Sequence, residues 1–347
     1  MRLRECLRPA PFLRPSLARA FHAGQVALCA CRLAAAALAL ALAVGCTSTS
    51  PKQLPPASPE ETAETARLSQ LALDRWLANE IRLQRISQQV QLRGRPLCGE
   101  DLAPVLGFGV VGRESVPRIL AAAAEARYPD ERVRVIDVFP GMAAEQSGLR
   151  VDDVVLAVGS ADVRSPLAVY RPRRAVGDTV ALRILRGDQE LEIRIPHTPG
   201  CAYPATLALG SEVNAHSFLR SRVTVFPVGL LRAVESDEQL AFVLGHEMGH
   251  IILHRTQMSL SRYETENQAD YIGAYLAVRA GFPLDPEDVK IFDLLSLGDV
   301  NVIDRRSSTH PVTPARSFAL RETLREIEHK RTSGVALVPS EKSRLSR

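Results

Sequence analysis

From Leu33 to Val44 every residue is apolar, a run of twelve that starts directly after Arg32 and ends at Gly45-Cys46. That length makes the core of an export signal and falls short of the roughly 20 residues that span a bilayer. The pattern then turns polar. Residues 47–66 are rich in Ser, Thr, Pro and Glu, with Pro51, Pro55, Pro56 and Pro59, and predict a tether over 46–66. Between 67 and 95 the spacing of Leu68, Leu71, Trp76, Leu77, Leu83, Ile86 and Val90 among Arg, Gln and Glu predicts an amphipathic helix. Its apolar face suits packing on its own protein better than on a membrane.

A different rhythm occupies 98–201. Val133-Arg134-Val135-Ile136-Asp137-Val138 alternates with the period of a strand, and Pro140-Gly141 turns the chain. Met142 to Ser147 reads as one helical turn closed by Gly148, and Val154 to Val158 as a buried strand. Thr179–Leu185 and Glu190–Ile195 predict a hairpin across Arg186-Gly187-Asp188, while the Ala-rich stretch 119–127 interrupts the β pattern. Beyond residue 202 helical periods dominate. Ser236 with Gln239 forms a capping box, and Asp237 and Glu238 suit a helix amino terminus. The fold class that follows is α+β: an N-terminal helix, a β-domain, and a mainly helical domain over 202–330 with a small sheet. Residues 331–347 read as a flexible tail.

Composition narrows the function. The chain of 347 residues is 46% hydrophobic and 24% charged, as globular proteins are. Its net charge is +4, but residues 1–45 hold six Arg against Glu5, so the remainder is close to neutral. A body without a basic stripe argues against nucleic acid as a partner. Cys6, Cys29 and Cys31 would leave with a signal peptide ending at residue 45. Apart from Cys46 at the head of the mature chain, Cys98 and Cys201 remain, an even pair in an exported chain, and are expected to be disulfide-bonded across one domain.

The densest chemistry is His246-Glu247-Met248-Gly249-His250. On a helix, residues four apart share a face, so His246 and His250 can bind one Zn²⁺, with Glu247 offset toward a water that it would deprotonate. A third ligand is needed downstream. Glu266 and Asp270 share a helix face, and next to the two His they read as ligand and as hydrogen-bond partner of a ligand imidazole. One zinc per chain and protein or peptide substrates follow.

Several segments resemble known families. Leu42-Ala43-Val44-Gly45-Cys46 resembles a bacterial lipobox, which implies acylation of Cys46, a lipid anchor in the membrane and a place on the periplasmic face of the outer membrane. Pro140-Gly141-Met142-Ala143-Ala144, Ser147-Gly148-Leu149, Asp152-Asp153-Val154-Val155-Leu156 and Gly177-Asp178 together resemble a PDZ domain. In register with them, Leu106-Gly107-Phe108 resembles the loop whose N–H groups receive a peptide's terminal carboxylate. Val213-Asn214-Ala215, Gly229-Leu230-Leu231, Gln239-Leu240-Ala241, His246–His250, Glu266-x-x-Ala-Asp270, Thr309-His310-Pro311 and Arg316 resemble the HtpX/BepA-like zinc metallopeptidases, the family of the CAAX prenyl proteases. The resemblance implies that Asn214 and Ala215 belong to an edge strand along which substrate lies. It gives His310 two open roles: a latency ligand on the zinc, or a hydrogen-bond donor to the tetrahedral intermediate. The expected function is cleavage of unfolded or misassembled envelope proteins by a zinc endopeptidase; the alternative is a PDZ-centred binding or chaperone-like lipoprotein with a latent zinc site.

Overall fold

The computed structural model describes residues 57–170, 179–255, 260–286, 292, 310 and 313–340. The leader at 1–45, Cys46 and the tether as far as residue 56 lie outside the described residues, as do Thr309, Pro311 and the tail from 341.

Helix α1 spans Pro59–Gly94 and is 36 residues long. It begins inside the segment expected to be tether, so residues 59–66 are helical. Pro59 presets the backbone angle of a first turn, and Glu60 and Glu61 sit at the positive end of the helix dipole. Leu73, Trp76, Leu77, Leu83, Ile86 and Val90 are buried in the main core as the periodicity predicts, whereas Leu68 and Leu71 are exposed. The helix also buries Glu80, Gln84, Ser87, Gln88 and Gln91. An apolar stripe beside a buried polar one means that α1 serves two different partners.

The β-domain follows: β1 (Leu102–Val105), β2 (Phe108–Val111), α2 (Ala121–Arg127), β3 (Arg134–Val138), α3 (Ala143–Gln146), β4 (Val154–Val158), β5 (Ala161–Asp162), α4 (Pro166–Tyr170), β6 (Thr179–Arg186), β7 (Gln189–Pro196) and β8 (Thr198–Cys201). Its antiparallel sheet has the order β2-β3-β4-β6-β7, with β5 beside β4. The predicted hairpin is tighter than expected. Arg186 pairs with Gln189, and Gly187, at φ +57°, takes the left-handed turn position. Phe108, Val110, Val135, Leu182, Ile184 and Ile195 form a core of the domain's own. At its root β1 pairs with β8, from Leu102 opposite Cys201 to Val105 opposite Thr198. The expected disulfide joins Cys98 to Cys201, with Cα atoms 5.6 Å apart, and both chain ends of the domain leave through it. Closing a loop of about 103 residues contributes on the order of 4–5 kcal/mol in the chain-entropy account.

A second sheet contains β9 (Ala205–Ala208), β10 (His216–Phe218) and β11 (Val223–Pro227) in the order β10-β11-β9. Then come α5 (Val228–Ala233), α6 (Asp237–Arg255), α7 (Arg262–Arg279) and α8 (Pro314–Thr332). The Ser236 hydroxyl accepts from Gln239 N at 3.2 Å as the capping box requires, but the Gln239 side chain reaches back to Glu235 N at 2.9 Å. Residues 333–340 are not a loose tail. Arg279 donates to Leu337 O at 2.7 Å, and Lys330 to Val338 O at 2.6 Å, while Ser340 N donates to the Tyr271 hydroxyl at 3.0 Å. Long cationic side chains thus capture carbonyls that composition alone marks as free. Among the described residues no helix is long and apolar enough to cross a membrane.

The buried carboxyl of Glu80 sets one stability term. Desolvation pushes its pKa up to about 7, against weaker opposing hydrogen bonds from Gln84 and Leu207 N. Because the folded value lies above the unfolded one, its stabilisation is complete below about pH 4.5 and is lost as pH rises through about 7. The loss amounts to about 3 kcal/mol. Denaturant midpoints measured at pH 5 and pH 8 should therefore fall in the wild type, and the fall should shrink in Glu80→Gln. An equal fall in both proteins would remove Glu80 from this account.

Candidate metal centre

Three glycines decide how α6 and α7 meet. A methyl group on Gly245 would stand 2.7 Å from Gly273 O, one on Gly273 would stand 2.7 Å from His246 N, and one on Gly249 would stand 3.0 Å from Ala269 O. Real side chains cannot enter such spaces, so the two helices touch backbone to backbone. That contact brings Glu266 and Asp270 of α7 alongside His246 and His250 of α6. All four expected residues converge.

The donor atoms surround a small common volume. His246 Nε2 lies 3.0 Å from His250 Nε2 and 3.6 Å from a Glu266 oxygen, and His250 Nε2 is 3.5 Å from the other Glu266 oxygen. His310 is here as well: its Nδ1 is 3.4 Å from His246 Nε2 and 2.9 Å from Glu266 Oε2. A tetrahedral zinc with bonds of about 2.0–2.1 Å has ligand atoms about 3.3 Å apart. The observed separations scatter around that value, so the residues present fit a zinc ion held by His246, His250 and Glu266, with His310 close by. Charge agrees: Glu247, Glu266 and Asp270 are buried with one guanidinium, that of Arg316, and a divalent cation offsets the remainder.

Protonation favours metal binding at His250 and Glu266, whereas at His246 a metal must displace a proton. Burial, helped by His246 alongside, lowers the His250 pKa to about 4, so its imidazole is neutral at pH 7 and keeps a free lone pair. Glu266 is lowered to about 2: burial would raise it, but the hydrogen bond from His310 and the nearby imidazoles prevail. For His246, burial is outweighed by Asp270 and the surrounding carboxylates, and its pKa is raised. Asp270 Oδ1 receives the Nδ1 proton of His246 at 2.8 Å, which leaves Nε2 for a metal. Arg316, fully buried, grips Asp270 with two hydrogen bonds of 2.8 Å and reaches Glu266 at 3.2 Å. Its guanidinium lies 5.1 Å from the Phe292 ring centroid, and Thr313 caps α8 by accepting from Arg316 N. The family resemblance includes Arg316, but sequence reasoning gave it no role.

Glu247 is buried beside the metal donors and turned toward β10, where the Ser217 hydroxyl donates to its Oε2. Its other oxygen is 3.9 Å from His310 Nε2. Ser217 was not among the expected residues; only its position just after Asn214-Ala215 hinted at it. The site opens into a cleft of about 390 Å³ that includes Ser217, Leu219, Glu247, His250 and His310. His216 and His254 also line it. Asn214 and Ala215 do not belong to the edge strand, which begins at His216 because pairing with β11 starts there, opposite Val225. Far from this cleft, the N–H of Gly107 in the expected carboxylate loop already donates to Gln88 of α1.

Comparison with known proteins agrees with this geometry in two stretches. Residues 188–259 match Peptidase family M48, and residues 104–196 match the PDZ domain. The first match includes His246 to His250 and ends before Glu266, Asp270 and His310. No curated protein matches the chain. A crystal structure of the HtrA3 PDZ domain bound to a phage-derived ligand (FGRWV) is similar at 14% identity and a TM-score of 0.22, over 28% of this chain and 88% of that one.

Asp270 is the hinge between Arg316 and His246. Asp270→Asn preserves its size but removes the charge that both neighbours bind. Zinc affinity, read by competition with a chelator, should fall by about 10–100-fold with far-UV circular dichroism unchanged. Unaltered affinity would show that Asp270 does not position the ligand.

Proposed function

We propose that this chain, which joins a PDZ domain to an M48-type metallopeptidase segment, is a zinc endopeptidase that cuts extended stretches of unfolded or misassembled envelope proteins. The observation that carries the reading is the meeting of the His246, His250 and His310 imidazoles with two buried carboxyl groups, Glu247 and Glu266, beside a cleft and a sheet edge.

When bound to His246, His250 and Glu266, zinc supplies Lewis-acid polarisation of a carbonyl and a more acidic water. The protein's own groups do the rest. Ser217 fixes one oxygen of Glu247, which leaves Oε1 to take a proton from the attacking water and return it to the departing nitrogen. Strand β10 pairs with β11 on one side, and its other side leads into the cleft, so an extended substrate can lie along it. Exposed Leu219 offers apolar contact there. His310 takes the role of a fourth donor that keeps the resting enzyme closed. Its proximity to both His246 and Glu266 supports that role over contact with a tetrahedral intermediate. The apolar leader, the lipobox-like Cys46 and the Cys98–Cys201 disulfide support a lipid-anchored place in an oxidising envelope compartment.

Two substitutions separate the roles. Glu247→Gln should keep one zinc per chain by mass spectrometry while cleavage of an unfolded protein falls by about 10²–10⁴-fold. A metal-free Glu247→Gln protein would make Glu247 a ligand and overturn the assignment. His310→Ala should raise the basal rate; a fall of about 10²–10³-fold would instead place its imidazole against the tetrahedral intermediate.

A further inference from the structure

PDZ recognition uses the edge of β2. An extended peptide adds a strand there, and backbone N–H groups of the preceding loop receive its carboxylate. In this protein that edge is already occupied by α1. Gln88 accepts from Gly107 N at 2.8 Å and donates to Phe108 O at 2.7 Å. One helical turn earlier, Gln84 accepts from Val110 N at 3.0 Å and donates to Val110 O at 3.1 Å. Each carboxamide therefore offers one C=O and one N–H to the strand, as a peptide unit would.

The spacing matches too. Four residues of helix advance about 6 Å, and two residues of strand advance about 6.6 Å, so amides at 84 and 88 meet successive outward-facing groups of β2. Both glutamines are buried. The Gln84 amide is oriented by Glu80, which accepts from it, and by the Tyr170 hydroxyl of α4, which donates to it and accepts from Val110 N at 2.9 Å. A methyl group on Gly109 would come within 2.9 Å of Gln84 Oε1, so the helix lies against the strand with no room for a peptide between them.

The two bodies held together here are unequal in their freedom. The adjoining stripe of α1 sits in the main core, where Leu83, Ile86 and Val90 are fully buried. Pulling the helix out would open that core. The β-domain has a core of its own and leaves the body through one disulfide-stapled root. Beside the glutamine contacts an open cleft of about 730 Å³, lined by Leu77, Ala78, Ile81, Ile136 and Val151 among others, separates helix from domain. The contact is polar along β2, where the glutamines meet it, while Val111, Val116, Ala123 and Ala124 of the β-domain join the main core beside α1.

We propose that Gln84 and Gln88 act as an internal surrogate for a peptide main chain, holding the PDZ groove shut. The competitor is the free carboxyl end of an extended polypeptide, admitted when the β-domain swings off α1. The proposal rests on the PDZ reading of residues 104–196 and is independent of peptidase activity, so its test reads binding alone.

The test uses the full chain and a pool of fluorescein-labelled decapeptides, randomised at every position, made with free carboxyl or carboxamide ends. By fluorescence anisotropy, Gln84→Ala/Gln88→Ala should bind the free-carboxyl pool about tenfold or more tighter than wild type, and the carboxamide pool no tighter. Gln88→Glu, which keeps the shape but cannot donate to Phe108 O, should change affinity in the same direction. In the wild type, hydrogen exchange at Gly107 and Val110 N–H should be slow, and it should speed up about tenfold in the variants. Equal affinity of wild type and variants, or equal binding of both pools, would overturn the proposal. Rapid exchange at Gly107 and Val110 in the wild type would also overturn it.

Discussion

The contact of α6 with α7 through Gly245, Gly249 and Gly273 is the constraint on which the metal centre depends. Side chains normally hold packed helices about 8–10 Å apart, and a third metal ligand on such a neighbour would need a longer reach. Removing the side chains lets a glutamate of ordinary length meet two imidazoles. It also fixes the helices along their axes, since Gly245 faces Gly273 while Gly249 faces Ala269. Arg316, brought in by α8, then has a defined pair of carboxylates to bridge. The site is thus assembled by backbone proximity first and by charge second.

Helix α1 is the second organising element, because it touches all parts of the described body. Its apolar stripe completes the main core, its glutamines meet β2, and Arg82 and Arg85 pair with Asp237 at the start of α6 at 2.7 and 3.1 Å. Partly exposed pairs of this kind contribute little energy singly. Their position matters more, since they tie the helix that covers the β2 edge to the helix that carries both metal-binding histidines.

What the sequence discloses follows from what leaves a local signature. The spacing His246–His250 and Glu266–Asp270 is a helical repeat of chemically rare residues, so the convergence of these four and their helices were legible. Strand alternation in 133–138 and the Gly-centred hairpin were legible for the same reason. Gln84 and Gln88 were not: a polar residue every fourth position reads as a solvated helix face, and only tertiary contact shows it buried. The start of α1 was hidden because Pro and Glu suit both a linker and a first turn. Ser217 and Arg316 act through space on residues 30 and 46 positions away, which no periodicity encodes.

The stapled root of the β-domain has one more implication, for covalent integrity. Every peptide bond between Cys98 and Cys201 lies inside a ring closed by sulfur, so a single cut anywhere in the domain leaves both pieces attached. The protein can thus be nicked once within this domain without losing either fragment.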